Sequence, residues 1–244
     1  MRYVAKKPEE KALLAFPDLA PFPGPVYIVR CARRSIGLFV TDDIAVLVRA
    51  PLRTTGKSIA DVLKKNRSWL EAKLSEAVRI KEESAPSEFY DGALFLFLGK
   101  EYPLRVTRRA ARFFSKERGF EISESYLGEA RKMFESWYKH QADKLLCARV
   151  LELGAAFDRK DIAPRISSAG TRWGSCSVSG SLRINWRLIQ APPEIIDYVI
   201  VHELSHLVEM NHSGRFWEIV RKYIPDFMTR RKWLRENGHR FGRI

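Results

Sequence analysis

The sequence has little of what marks a secreted or membrane protein. It holds three cysteines in 244 residues, Cys31, Cys147 and Cys176. An odd, scattered trio builds no disulfide framework and suits a reducing compartment. No apolar run approaches the roughly 20 residues that cross a bilayer. The strongest run, Ala93–Leu98, has the length of a buried strand. No apolar stretch of the signal-peptide kind follows Met1-Arg2-Tyr3-Val4-Ala5-Lys6-Lys7, so a cytoplasmic protein with no membrane partner is expected. With Gly 14 and Pro 12, the chain is neither low-complexity nor collagen-like.

What is present fits a folded protein. Hydrophobic residues make up 45% and charged residues 30%, which argues against disorder. The length allows one large domain or two small ones. Charge is the unusual feature: Lys+Arg 43 against Asp+Glu 29 gives +14. Such a surface either draws in polyanions such as nucleic acid or is simply solvated. Two basic clusters carry much of it. One is Arg105, Arg108, Arg109 and Arg112; the other is Arg230, Arg231, Lys232 and Arg235. Helical spacing would put Arg108 with Arg112, and Arg231 with Arg235, on one face.

The pattern along the chain is mixed α+β. Pro8, Pro17, Pro21, Pro23 and Pro25 make residues 1–25 an irregular lead-in. Residues 26–120 read as a β-rich region. Tyr27–Cys31, Ile36–Val40 and Ala45–Val48 form a small meander ended by Pro51. One long helix follows from Ser58 to about Glu83, with Ile59, Val62, Leu63, Trp69, Leu70, Leu74 and Val78 at helical spacing. Leu94–Leu98 and Tyr102–Thr107 flank Gly99-Lys100-Glu101 as a hairpin. Residues 121–244 hold a long helix from Tyr126 to about Phe157. Strands at Arg165–Ser168 and Leu182–Trp186 come next. A further helix opens at Pro192-Pro193, where proline suits a first turn.

That last helix contains Val201-His202-Glu203-Leu204-Ser205-His206-Leu207. Histidines at i and i+4 share one helix face, so two imidazoles can reach one metal ion. Glu203 projects beside them and can take a proton from a water held there. This is the HExxH arrangement of zinc hydrolases. The bland alternative is two exposed histidines on a surface helix. A third ligand is expected, and His212 follows after a helix end near Met210-Asn211. Glu209 and Glu218 compete for that place, and Cys176 is a further candidate. The string HExxHxxxxxH has metzincin spacing, but Glu209 stands where metzincins carry glycine.

Other residues join these in resembling a known family. Thr171-Arg172-Trp173-Gly174-Ser175-Cys176-Ser177 is followed by Gly180 and Ile184-Asn185-Trp186-Arg187-Leu188. His206 through His212-Ser213 is followed by Phe216-Trp217. Arg33-Arg34-Ser35, a hairpin to Pro51 and a helix with Trp69-Leu70 complete the match. From about residue 27 to 237 the chain resembles the YgjP-like predicted metal-dependent hydrolases. The resemblance implies a zincin-like metallopeptidase domain related to SprT-like and WLM proteases.

The expected function is therefore zinc-dependent hydrolysis of peptide bonds. One Zn²⁺ per chain would be held by His202, His206 and His212, with Glu203 as general base and then acid. The Arg165–Leu188 hairpin is placed to lay a strand edge beside the substrate. Arg172, Ser175 and Asn185 are the candidate substrate-binding residues, with Arg172 or Ser175 donating to an oxyanion. Alternatively, Trp173 and Gly174 merely pack against the active helix. Two other functions stay open. One is hydrolysis of nucleotide phosphates or similar anions, although no carboxylate cluster for Mg²⁺ is visible. The other is a nucleic-acid-associated protease of SprT-like type.

Overall fold

The computed structural model describes residues 12–13, 22–41, 43–83, 88–108, 113–116, 119–159, 161–177 and 179–242. Most of the proline-rich lead-in, together with Arg109 and Arg112, lies outside them. The chain forms two compact units, Met1–Ala85 and Pro86–Ile244.

The first unit is a four-stranded sheet with two helices. Its strands are β1 (Ala12–Leu13), β2 (Val26–Cys31), β3 (Gly37–Val40) and β4 (Val46–Pro51). They lie in the order β1-β2-β4-β3, with β2 and β4 parallel. The expected meander is thus corrected, because β4 inserts between β2 and β3. Its Val46-Leu47-Val48 run is buried on both faces, which suits a central position. The expected single helix is also corrected, to α1 (Gly56–Lys65) and α2 (Arg67–Glu83). Asn66 divides them: its backbone N–H and its side-chain Nδ2 both donate to the Val62 carbonyl. Thr55 caps α1 by accepting from the Ser58 N–H. Ile59, Leu63, Leu70 and Leu74 then bury against Ile28, Val46, Val48 and Ala50.

The second unit opens with a sheet of β5 (Leu94–Phe97), β6 (Lys100–Thr107), β7 (Phe113–Lys116) and β8 (Gly119–Ser123). The β5–β6 hairpin turns on Leu98 and Gly99, both at positive φ, as a tight two-residue turn requires. Arg105 lies on β6 and Arg108 just past its end; the face expected to join Arg108 with Arg112 lies outside the described residues. A 3₁₀ turn, Glu124–Glu129, leads into α3 (Ala130–Ala155). The α3 stripe Ala130, Phe134, Tyr138, Ala142, Leu146 and Val150 is buried. It packs in one core with Phe95 and Phe120 of the sheet and with the later helices. Tyr138 donates its hydroxyl to the Leu96 carbonyl at 2.5 Å.

Three short strands follow: β9 (Ala163–Ser167), β10 (Gly174–Cys176) and β11 (Ser181–Asn185). Their order is β10-β11-β9, so β10 is an edge strand. A 3₁₀ turn, Trp186–Gln190, delivers the chain to α4 (Pro193–Ser205). The β5–β6 hairpin tip fixes this entry. The Leu98 and Gly99 N–H groups donate to the Ile189 and Gln190 carbonyls. A Cβ on Gly99 would lie within 3.0 Å of Pro192, so the close approach needs glycine there. α4 is buried almost all round. Arg149 of α3 grips its first half with a two-pronged bond to Asp197, at 2.7 and 2.8 Å. The last helices are α5 (Gly214–Tyr223), capped by Ser213, and α6 (Phe227–Asn237). The architecture is α+β, with the HExxH helix inside the second unit.

Candidate metallopeptidase site

α4 ends earlier than its sequence pattern suggests. Its last helical residue is Ser205, not one near Met210. The His206, Leu207 and Val208 N–H groups donate three residues back, which tightens the final turn. His206 is therefore the C-cap, yet it keeps helical angles and stays one turn beyond His202. The early end lets the chain fold back before α5. His212 thereby comes over His202, with the two Nε2 atoms 3.1 Å apart.

Among the described residues, His202, His206 and His212 are the one group whose ligand atoms converge, all within 4.8 Å of one another. Two nitrogens bound to one tetrahedral zinc at its usual bond lengths would stand about 3.3 Å apart. The His202–His212 pair already meets that spacing. Its nitrogens face each other as donors to a shared cation would. His206 Nδ1 lies 3.2 Å from the Glu209 carbonyl. A proton on Nδ1 leaves the Nε2 lone pair free for a metal. Glu209 thus meets the site through its main chain. Neither Glu209, Glu218 nor Cys176 joins the converging group.

Burial sets the charge of this site. The His202 pKa falls to about 3, first through burial, then through His206, His212 and Arg231. The ring is neutral at pH 7, the form that ligates metal. His212 is lowered for the same leading reason. Glu203 is 7% exposed, and burial lifts its carboxyl to about 7, against a smaller opposing pull from Arg172. Tyr198, one turn before His202, is pushed by burial up to about 12 and stays a neutral hydroxyl.

Two aromatic residues complete the cluster, and sequence reasoning gave them no role. Phe216 is fully buried, with its ring 4.9, 4.6 and 4.7 Å from those of His202, His206 and His212. It forms a floor under all three imidazoles. Trp217 stacks on His212 at 5.7 Å and on Phe227 at 5.2 Å. The available signal was their position in the first turn of the helix after His212.

The Arg172–Cys176 string lies against α4. Gly174 sits so close to Glu203 that a Cβ there would lie 2.5 Å from Cγ and 2.7 Å from Oε1. Asn185 N–H donates to the Trp173 carbonyl, and Ser175 pairs with Arg183. By strand alternation, the Gly174 and Cys176 backbone groups then point away from β11, towards the open edge. The same period places Ser175 on the face opposite Glu203. Cys176 is raised to about 11, first by burial and then by Glu203, so its thiol stays protonated. Asn185 is buried, donates to the Ala169 and Arg172 carbonyls at 2.7 and 3.1 Å, and accepts from the Arg187 N–H. It clamps the loop that carries Arg172. Trp173 packs on Gly238 and Phe241.

Fold and site together define a metallopeptidase domain. Residues 34–237 match the YgjP-like metallopeptidase domain, and the chain belongs to the YgjP-like family. It is a metal-dependent hydrolase whose family acts on protein or peptide substrates. No curated protein matches the chain. One solved structure that matches is the metallopeptidase zymogen abylysin of Pyrococcus abyssi. It shows 20% identity and a TM-score of 0.32, over 36% of this chain and 88% of that one. No helix among the described residues is long and apolar enough to cross a membrane.

Proposed function

We propose that the protein is a zinc peptidase, with His202, His206 and His212 as ligands and Glu203 as general base and acid. The convergence of the three imidazoles, with a buried carboxyl one residue from the first, carries this reading. A donor set of neutral imidazoles suits zinc, whereas Mg²⁺ and Ca²⁺ favour oxygen ligands. When bound, the ion supplies Lewis-acid activation of a water and of the scissile carbonyl. Glu203 accepts the water's proton on a carboxylate oxygen and returns it to the leaving amine. A pKa near neutrality suits a group that must both take and give a proton.

The open edge of β10 offers the Gly174 and Cys176 backbone groups to an extended peptide, which would add as a further strand. Asn185 positions this region by fixing the Arg172 loop. Phe216 holds the imidazole rings in their relative orientation. The basic surface as a nucleic-acid partner site remains a separate proposal, tested by salt-dependent binding.

The test pairs metal analysis with turnover. The purified protein should carry one equivalent of zinc and cleave casein or a peptide mixture in a chelator-sensitive way. Glu203→Gln should keep the metal and lose on the order of 10²-fold in rate or more. Nucleoside triphosphates serve as the competing substrate. Chelator-sensitive hydrolysis of these, with none of peptides, would overturn the reading.

A further inference from the structure

α6 carries one exposed arginine beside its buried stripe, set over an aromatic ring of the site. Phe227, Arg231, Leu234 and Gly238 recur at helical spacing. Phe227 and Leu234 are buried. A Cβ on Gly238 would lie 2.8 Å from the Trp173 ring. Arg231 is exposed, unlike these neighbours, with its guanidinium 4.9 Å from the centre of the Trp217 ring. Trp217 is in turn 5.7 Å from the rings of both His202 and His212. A cation therefore stands one aromatic ring away from the imidazole cluster.

Neighbouring arginines on α6 have acidic partners. Arg230 pairs with Asp226 at 2.9 Å, and Arg235 reaches Glu236 at 3.9 Å. Among the described residues, no carboxylate pairs with Arg231, and none pairs with Arg172. Arg172 is held by the Asn185 clamp, two residues before the glycine that touches Glu203. Two exposed arginines that lack an acid of their own, beside the imidazole cluster, are arranged for an anion that arrives with the substrate. Arginine's planar fork matches a carboxylate in two bonds.

We propose that Arg231, assisted by Arg172, selects peptides that carry a carboxylate within one or two residues of the scissile bond. This rests on the peptidase reading above. An extended chain advances about 3.4 Å per residue. The width of one aromatic ring between guanidinium and imidazoles therefore suits a flanking residue, not a distant one. The carboxylate has two possible sources, an Asp or Glu side chain and a free chain end.

The test uses metal-binding probes, so that recognition is read without turnover. Short peptide hydroxamates are made in matched sets: a Glu or a Gln flanking the hydroxamate, and a free or an amidated chain end. Binding to the zinc-loaded full chain is measured by titration calorimetry. The acidic member of at least one pair should bind about tenfold tighter or more, as expected for a charge-assisted bond. Which pair responds identifies the source. Arg231→Gln should bring that ratio close to one, and Arg231→Lys should keep part of it. Wild-type protein that holds zinc but binds the members of each pair alike, or binds none of them, overturns the proposal. So does a ratio unchanged in Arg231→Gln. Metal content on the same samples separates the two readings, because a chain that takes no metal sinks the peptidase assignment itself.

Discussion

Gly174→Ala isolates what the strand beside α4 does for Glu203. Gly174 lies in a regular strand and not in the left-handed region, so alanine suits the backbone there. Losing a glycine's unfolded-state freedom would stabilise the protein by about 0.5–1 kcal/mol. Against this, the new methyl carbon would lie 2.5 Å from Glu203 Cγ, 2.7 Å from Oε1 and 2.8 Å from Cδ. Ordinary carbon contacts start near 3.5 Å, so the carboxyl must retreat by roughly 1 Å. Glu203 is a long side chain and can rotate at moderate cost, on the order of 1–2 kcal/mol. The two contributions nearly cancel in stability. They do not cancel in catalysis, where a misplacement of about 1 Å costs roughly 10²-fold. The expected phenotype is a melting temperature within a few degrees of wild type, a full equivalent of metal, and peptide hydrolysis reduced about 10²-fold. A double variant, Gly174→Ala with Glu203→Gln, supplies the control. If the methyl acts through the carboxyl, the double variant is no slower than Glu203→Gln alone. Activity of Gly174→Ala within twofold of wild type, or fully multiplicative losses in the double variant, would refute the reasoning.

Other perturbations read other parts of the site. His206→Ala should remove most of the bound zinc, measured by elemental analysis, because two ligands rarely hold it against competition. Phe216→Ala should destabilise the fold by about 3–5 kcal/mol in a denaturant titration. The milder Phe216→Leu should stay folded and weaken zinc binding by roughly 10–100-fold. Asp197→Ala breaks the grip of Arg149 on α4; because the pair is partly exposed, the loss should be on the order of 1 kcal/mol. A pH series on metal-free protein tests the Glu203 environment. Its folded pKa, about 7, lies above the ordinary carboxyl value of 4.5. The native state therefore holds the proton longer, and wild type should lose stability relative to Glu203→Gln as pH rises from about 4.5 through 7. The gap should grow by up to about 3 kcal/mol. Parallel stability curves over that range would show that the carboxyl is not buried in this way.

The fold was legible where neighbours in sequence are neighbours in space. Pro193 opening α4, the β5–β6 hairpin and the strand that follows Pro25 all follow from local rules of turn and period. Misreadings arose where a single side chain decides a boundary. Asn66 interrupts an otherwise continuous apolar period with two bonds to one carbonyl, and nothing in the period announces it. The order β2-β4-β3 was hidden for a different reason. Pairing of sequential strands is the simpler expectation, and only the two-sided burial of Val46–Val48 favours the central place for β4.

The site divides along the same line. The i, i+4 histidines and the carboxyl between them are one helical turn, so their sequence spacing is already their geometry. His212 is one step harder, because its approach depends on where α4 stops. The chain turns at His206, four residues before the end expected near Met210-Asn211, and that early stop brings the Nε2 atoms to 3.1 Å. Phe216, Gly174 and Arg231 belong to a third kind. Each acts on the histidine–glutamate cluster from another element: a helix that follows, an edge strand, the last helix. No local period links them to HExxH. They are nonetheless the residues that give the cluster its properties. Phe216 excludes water beneath the rings, Gly174 leaves room for the carboxyl, and Arg231 adds a positive charge with which no carboxylate of the described residues pairs. The motif states which chemistry is available, and the long-range contacts determine the protonation states in which it is held.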